Sequence, residues 1–265
     1  MIKLATWNIN SVRLRLDLVT RLLTEEAPDV LCLQEIKTHN DTFPAKALAA
    51  LGYVHQAVHG QRGYHGVATL SRLPFAKTWS QEFCEKGDAR HVAVALENGL
   101  ELHNFYVPSG GDIPDPALNE KFAHKLQFLD EMARKFARKK DKASALRVLV
   151  GDLNVAPGEH DVWSHRQLLD VVSHTPIEVD KLKNVQASHD WIDATRQAVP
   201  GAEKIYSWWS YRARDWELSD RGRRLDHVWL SPGLNGALAA HAIRRDARGW
   251  DKPSDHVPVI VSLDI

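Results

Sequence analysis

Short apolar runs that each stop at an amide, a carboxylate or a histidine recur from one end of this chain to the other. They are Leu4-Ala5-Thr6-Trp7-Asn8-Ile9-Asn10, Val30-Leu31-Cys32-Leu33-Gln34-Glu35, Val148-Leu149-Val150-Gly151-Asp152-Leu153-Asn154, Arg224-Leu225-Asp226-His227 and Ser254-Asp255-His256-Val257-Pro258. A short β-rich run reads as a buried strand, and its end lies at a sheet edge. Ends of this kind can converge on one polar pocket. A pocket of Asn, Glu, Asp and His side chains without cysteine suits a hard divalent cation and phosphate chemistry.

The 265 residues can bury a sizeable core. No internal repeat, low-complexity tract or linker-like boundary divides them, so residues 1–265 are expected to form a single domain. The N-terminus enters a strand at Ile2-Lys3-Leu4 instead of a charged leader, and no apolar run approaches the length of a membrane span. Cys32 and Cys84 have no metal-ligand spacing and build no disulfide framework, which fits a reducing compartment. The expectation is a cytoplasmic protein with no membrane partner. Formal net charge is zero, which excludes a global basic field, so a polyanionic partner must be met by a local patch.

Leu14, Leu18 and Leu22, with Val19 and Leu23 beside them, predict an amphipathic helix ended near Pro28. Strands are expected over 29–35 and 66–71, with a short helix over 44–51 between them. His91–Leu96 and Leu100–Tyr106 flank Asn98-Gly99, a hairpin signal because both turn residues tolerate positive φ. A long helix is expected from about Ala117 to Lys140, with Phe122, Leu126, Leu129, Ala133 and Phe136 on its buried stripe and a basic end. Further strands are expected over 146–150, 224–230, 238–244 and 257–263, whereas 157–195 reads as short helices and loops. Many strands interleaved with few helices point to an α/β fold with sheets packed between helical layers.

Glu35 closes an apolar strand, where its charge is costly unless solvated, paired or metal-bound. Asn8 at the neighbouring strand end adds an amide oxygen, and the two together suit Mg²⁺, which wants few protein ligands. Asp152 and Asn154 alternate across Leu153 and face the same way on an extended strand end. Asp152 can take a proton from an attacking water, and Asn154 can donate to a phosphoryl oxygen, although Asp-x-Asn taken alone is more often a turn. Asp226 offers His256 a carboxylate that would fix its tautomer and hold positive charge on the ring. Tyr106 opens a glycine-containing loop suited to touching a ligand. Trp208 and Trp209, with Tyr206 and Tyr211, lie beside Arg212, Arg214, Arg221, Arg223 and Arg224, a mixture of stacking faces and cationic forks that fits a nucleic-acid strand. There is no phosphate loop, nucleophile elbow, dinucleotide fingerprint or zinc signature.

The ordered set closely resembles the exonuclease III family of abasic-site (AP) endonucleases. It runs through Trp7-Asn8-Ile9-Asn10 with Arg13, Leu33-Gln34-Glu35-Ile36-Lys37, 59–67, Tyr106-Val107-Pro108, Gly151-Asp152-Leu153-Asn154, Ser207-Trp208, Arg224-Leu225-Asp226 and Lys252-Pro253-Ser254-Asp255-His256, essentially the whole chain. The resemblance implies a four-layer α/β sandwich of two packed, mostly antiparallel sheets flanked by helices. It implies dependence on Mg²⁺, with Mn²⁺ able to substitute, and cleavage of the phosphodiester 5′ to an abasic site. Exonuclease action from 3′ to 5′ and removal of blocked 3′ termini would accompany it. The implied partner is double-stranded DNA with abasic sites or recessed or blocked 3′ ends, met by a monomer. Glu35 and Asn8 would hold the metal with Asp255 nearby, and a second position could use Asp152, Asn154 or His256. Asp152 would activate water, Asn154 would bind the phosphate, Tyr106 would contact it or aid proton traffic, and Asp226 would orient His256. Arg13, Lys37, Trp208, Trp209, Arg212 and Arg223 are the expected DNA contacts. Two departures stand out: Ser109-Gly110 where the family often has Asn or Gln, and Arg223 where relatives tend to place an apolar wall residue. The rival readings are a phosphodiesterase of the same fold acting on lipid or inositol headgroups, and a catalytically dead DNA-binding module.

Overall fold

The computed structural model describes residues 1–213 and 215–265, and Arg214 of the arginine-rich stretch lies outside the described residues. One six-stranded sheet contains β1 (Ile2–Asn8), β2 (Val30–Gln34), β3 (His55–His59), β4 (Val67–Ser71), β13 (Leu238–Ile243) and β14 (Val259–Leu263), in the order β13-β14-β1-β2-β4-β3. The other contains β5 (Phe75–Trp79), β6 (His91–Leu96), β7 (Glu101–Tyr106), β8 (Arg147–Asp152), β9 (Ile192–Asp193) and β12 (Asp226–Leu230), in the order β5-β6-β7-β8-β12-β9. A small ribbon pairs β10 (Trp208–Trp209) with β11 (Gly222–Arg223). The helices are α1 (Leu16–Glu25), α2 (Ala45–Ala49), α3 (Glu120–Ala137), α4 (His165–Leu168), α5 (Pro176–Ser188), α6 (Ala194–Ala198) and α7 (Trp216–Ser219).

The apolar runs are continuous because the central strands are buried on both faces. Leu4, Val30, Leu102, Val148 and Val228 point between the two sheets. Their neighbours Ala5, Trp7, Leu31 and Leu33 point outward under α1, through Val19, Leu22 and Leu23. Phe105, Leu149 and Trp229 point outward on the second sheet under α3 and α5, through Phe128, Leu129, Met132, Val179 and Leu182. The result is the expected four-layer α/β sandwich with mixed, mostly antiparallel sheets.

The two-residue side-chain period carries this pattern to the strand ends. Continuing from Leu4, Val30, Leu102, Val148 and Val228, the inward positions become Asn8, Gln34, Asn104 and Tyr106, Asp152 and Asp226. β1 runs parallel to β2, and β7 parallel to β8, so these four strands deliver their C-terminal ends together. β12 runs antiparallel to β8 with Asp226 opposite Asp152, so its first residue arrives at the same edge. β14 runs antiparallel to β1, which brings the approach to it, including His256, there as well.

Several expectations needed adjustment. The long helix begins at Glu120, because the Asn119 side chain accepts from Lys121 N and caps it. In the hairpin Gly99 has φ +88°, whereas Asn98 does not take positive φ. β3 and β5 were not expected; β5 is an edge strand whose three central residues are exposed. The stretch 157–195 contains α5, a full helix whose buried face includes the charged Glu178 beside Val179, Leu182 and Val185.

Glu178 is buried because Lys125 of α3, equally buried, forms a salt bridge with it. Ser173 N, Thr175 N and Thr175 Oγ1 also donate to the carboxylate. The Lys125 ammonium in turn donates to Asn154 O at 2.7 Å and Ser109 O at 3.2 Å, tying the helix layer to two loops at the strand ends. Removing one partner strands a buried charge. Lys125→Met is therefore expected to cost about 3–5 kcal/mol in urea unfolding, and an unchanged unfolding midpoint would contradict the pairing.

Candidate active site

The strand-end residues line a cleft of about 710 Å³ that includes Glu35, Tyr106, Asp152, Asn154, Asp255 and His256. Asp152 is placed by β8 and by Gly151. The glycine has φ +134°, and a Cβ there would lie 2.0 Å from Phe105 O on β7, so only a bare backbone allows the parallel pair to close. Asn154 has φ +54° and folds the chain back, so the Asp-x-Asn segment is a turn and its ends still meet. Asn154 N donates to Asp152 Oδ1 at 2.9 Å, while Nδ2 donates to Asp152 Oδ2 at 3.0 Å and to Val107 O at 2.9 Å. Both amide hydrogens of Asn154 are thus engaged by the protein, which differs from the expectation of a free phosphate donor.

Asn8 is fully buried. Its Nδ2 bridges Glu35 Oε1 and Asp152 Oδ2, each at 2.8 Å, and its Oδ1 accepts from Asn10 N at 3.1 Å. Glu35 sits just past β2 with φ +48°, a left-handed residue that turns its carboxylate into the cleft. Burial alone would raise its pKa, but the Lys37 ammonium 2.8 Å from Oε2 and the Asn8 amide outweigh burial and keep the carboxyl ionised. Lys37 also donates to Asn10 Oδ1 at 2.6 Å. Lys37, expected as a DNA contact, thus has two partners inside the site and stays partly exposed.

Asp226 and His256 form a buried pair, with Nδ1–H donating to Oδ2 at 2.8 Å. Ser207 Oγ donates to the same oxygen at 2.6 Å and accepts from Leu225 N and Asp226 N, which fixes the carboxylate on its loop. Burial would lower the His256 pKa, but Asp226 and Asp152 dominate and raise it, so the ring is held as imidazolium. Its Nε2 lies 3.7 Å from Asp152 Oδ2. Asp152 shows the opposite balance. Burial raises its pKa, His256 lowers it, and the Asp226 and Glu35 charges help leave it well above the usual carboxylate range. One protonated ring therefore serves both carboxylates.

Asp152, Asp226 and His256 offer ligand atoms within 4.8 Å of one another, a buried group consistent with a metal site. Asp226 Oδ1 is buried without a hydrogen-bond partner among the described residues, as an oxygen left for a cation or water would be. With Glu35 adjoining, the donor set is dominated by hard oxygens and fits Mg²⁺ chemistry, whereas Asn8 turns its Nδ2 to the carboxylates and its Oδ1 to Asn10 N. Asp255 stands at the rim, where its oxygens accept from Trp208 Nε1 at 2.9 Å and Asn10 Nδ2 at 3.2 Å.

Tyr106 lies beneath the Arg90 guanidinium, 4.9 Å from the ring centroid, and beside His65 at 6.1 Å. Burial, then Glu35 and Asp152, push its pKa well up, so the phenol keeps its proton. Arg90 is held by Asp88 at 2.8 Å. Sequence reading missed Arg90, Asp88 and Lys125, and gave His65 and Ser207 no role although both lie in stretches that carry the resemblance. Arg90, Asp88 and Lys125 carry no motif of their own, and each is recognisable only from what it supports.

Among the expected DNA contacts, Arg13 and Arg212 are exposed and Trp208 is half-buried at the cleft. Trp209 is corrected. It is 1 % exposed, donates from Nε1 to Asp220 and packs against Tyr206 and Trp216, so no face is free to stack on a base. Arg224, also buried, forms a bidentate pair with Asp161 at 2.7 and 3.0 Å and meets Asp193 at 2.8 Å, which anchors the loop entering Asp226.

A model of the Endonuclease/Exonuclease/phosphatase family matches residues 5–256. The exodeoxyribonuclease III of Haemophilus influenzae is 29% identical, over 97% of this chain and 98% of its own length. Among solved structures, an AP endonuclease from Archaeoglobus fulgidus superposes with a TM-score of 0.92 at 30% identity, covering 100% of both chains. A 3′ phosphatase from Neisseria bound to a product DNA hairpin superposes with a TM-score of 0.89 at 29% identity, again over 100% of both chains.

The Asp161 pair has a pH signature. Burial would raise its carboxyl, but Arg224 and Arg196 outweigh that and hold it well below the usual range. A depressed folded-state pKa contributes stability above the unfolded value of about 4, and this is lost as pH falls toward the folded value. Asp161→Asn should cost about 3–5 kcal/mol at pH 7, with the gap to the native chain narrowing between about pH 4 and pH 2. A gap that stays constant through that window in chemical unfolding would contradict the assignment.

Proposed function

Because the chain belongs to the endonuclease/exonuclease/phosphatase family, we propose that it is a Mg²⁺-dependent DNA repair nuclease acting as a single-domain monomer on duplex DNA. It hydrolyses the phosphodiester 5′ to an abasic site, removes nucleotides 3′ to 5′ and cleans blocked 3′ ends. The observation that carries this reading is the convergence of Asn8, Glu35, Asp152, Asp226 and His256 on one cleft edge. The names of the relatives, which include an exodeoxyribonuclease, an AP endonuclease and a DNA-bound 3′ phosphatase, point the same way.

In this reading the imidazolium of His256, held by Asp226, donates from Nε2 to a non-bridging oxygen of the scissile phosphate. It stabilises the charge that builds there as water attacks. Asp152 accepts the proton of that water, and its raised pKa makes it a stronger base than an ordinary aspartate. The P–O3′ bond breaks, the upstream 3′ oxygen takes a proton to become a hydroxyl, and the phosphate stays on the downstream 5′ oxygen. Tyr106, protonated, contacts the phosphate as a hydrogen-bond donor. Asn154 orients Asp152 through its two hydrogen bonds to that carboxylate. Glu35 would hold Mg²⁺, or Mn²⁺ in its place, with Asn8 and Asp255 beside it, and a bound ion would supply positive charge at a phosphoryl oxygen. Arg13, Trp208, Arg212 and Arg223 contact the strand.

The test is incision of a duplex carrying one tetrahydrofuran abasic analogue, beside an intact duplex with recessed ends. Cutting is expected with Mg²⁺ and absent with a chelator, and Asp226→Asn should lower kcat by about a hundredfold or more. Full activity in chelator, or in Asp226→Asn, would contradict the reading.

A further inference from the structure

Part of the cleft wall is cationic. Arg223 ends β11 with its guanidinium 5.2 Å from the Trp208 ring centroid. Arg221, on the same side of the ribbon by strand period, lies 4.7 Å from that of Trp163. Both line the cleft that contains Asp152 and His256. Stacking on indole rings restrains the two forks.

Arg223 Nη1 donates to Val172 O at 2.8 Å and Ser173 Oγ at 2.7 Å. Its Nε is buried without a partner, and among the described residues no carboxylate lies within salt-bridge distance, Glu178, whose charge reaches it, being paired with Lys125. A guanidinium has five N–H donors, and burying it without acceptors costs free energy. A restrained fork with spare donors beside a phosphate-cleaving centre matches an anion in charge and shape.

We propose that Arg223, with Arg221 beside it, makes the cleft select an anionic group on a 3′ terminus, a phosphomonoester or an acidic phosphate-linked remnant, over an internal base-free sugar. This rests on the nuclease reading and names its preferred substrate class. An internal diester carries one charge and continues into a neutral sugar. A terminal phosphate carries about −1.5 to −2 at pH 7, and its extra oxygen takes the place of that sugar. In its hydrolysis the water oxygen bonds to phosphorus and the P–O3′ bond breaks. The 3′ oxygen keeps the electron pair and takes a proton, and orthophosphate leaves. An acidic remnant such as phosphoglycolate leaves whole by the same bond cleavage.

Initial rates are compared on duplexes ending in 3′-phosphate, 3′-phosphoglycolate or 3′-hydroxyl and on one with an internal tetrahydrofuran site. The native chain is expected to prefer both anionic ends to the tetrahydrofuran site. In Arg223→Gln, which keeps a donor for Ser173 but no charge, that preference should fall by about tenfold to a hundredfold, the size of a charged hydrogen bond. Arg223→Lys should retain more of it than Arg223→Gln. Should Arg223→Gln fail to fold, as thermal unfolding would show, Arg221→Gln on the exposed neighbour should lower the preference by more than about threefold. Loss confined to one anionic end assigns the selection to phosphate or to phosphoglycolate. A preference that stays within about threefold of native in the folded variant overturns the proposal, as does a native chain that favours the tetrahydrofuran site. A native chain that cuts none of the four overturns the nuclease reading itself.

Discussion

Two sheets packed face to face bury the polar groups of their inner faces, so most of those groups find a partner on the other sheet or on a neighbouring strand. Gln34 and Asn104 do so just below the site, although Gln34 Oε1 keeps no partner among the described residues. Gln34 Nε2 reaches Asn104 Oδ1 at 2.7 Å, and Asn104 Nδ2 reaches Leu33 O and Ala68 O across the sandwich. One layer further out, Asn8 of the first sheet bonds Asp152 of the second, and His256, entering the first sheet, bonds Asp226 of the second. The site is therefore the polar end of the core. Its distances are set by the same packing that stabilises the fold.

That position also decides the electrostatics. Two charges about 4 Å apart interact with roughly 4 kcal/mol in a partly buried environment, against about 1 kcal/mol at most for an exposed pair. Among the described residues, surface pairs such as Arg21–Glu25 are numerous but individually minor. The His256, Asp226 and Asp152 group is where charge placement controls protonation, with a ring held positive and one carboxyl held close to neutrality. The arginine wall adds a second, opposite field in the same cleft. A phosphate there would lie between donors whose geometry is already set, which is the condition under which electrostatic stabilisation is most effective.

Much of this was legible in the chain. A strand buried on both faces must be continuously apolar, so the run ends were visible as the points where Asn8, Glu35, Asp152 and Asp226 interrupt it. The long-helix stripe was legible for the same reason. What stayed hidden depends on contacts between distant segments. The face of α5 was obscured because Glu178 occupies a buried position, and only Lys125, distant in sequence, makes that tolerable. β5 was obscured by its half-exposed edge position. Trp209 looked like a stacking face because composition does not tell an indole that packs against Tyr206 and Trp216 from one that faces a groove. The Lys37–Glu35 pair was hidden because the two meet only after a left-handed turn at Glu35.

The most direct test is a crystal structure of the chain with Mn²⁺ and a cleaved duplex product, read by the anomalous signal of the metal. The account predicts manganese beside Glu35 and Asn8, with the product phosphate within hydrogen-bond distance of His256 Nε2. A phosphate bound on another face, or metal density away from these strand ends, would contradict it.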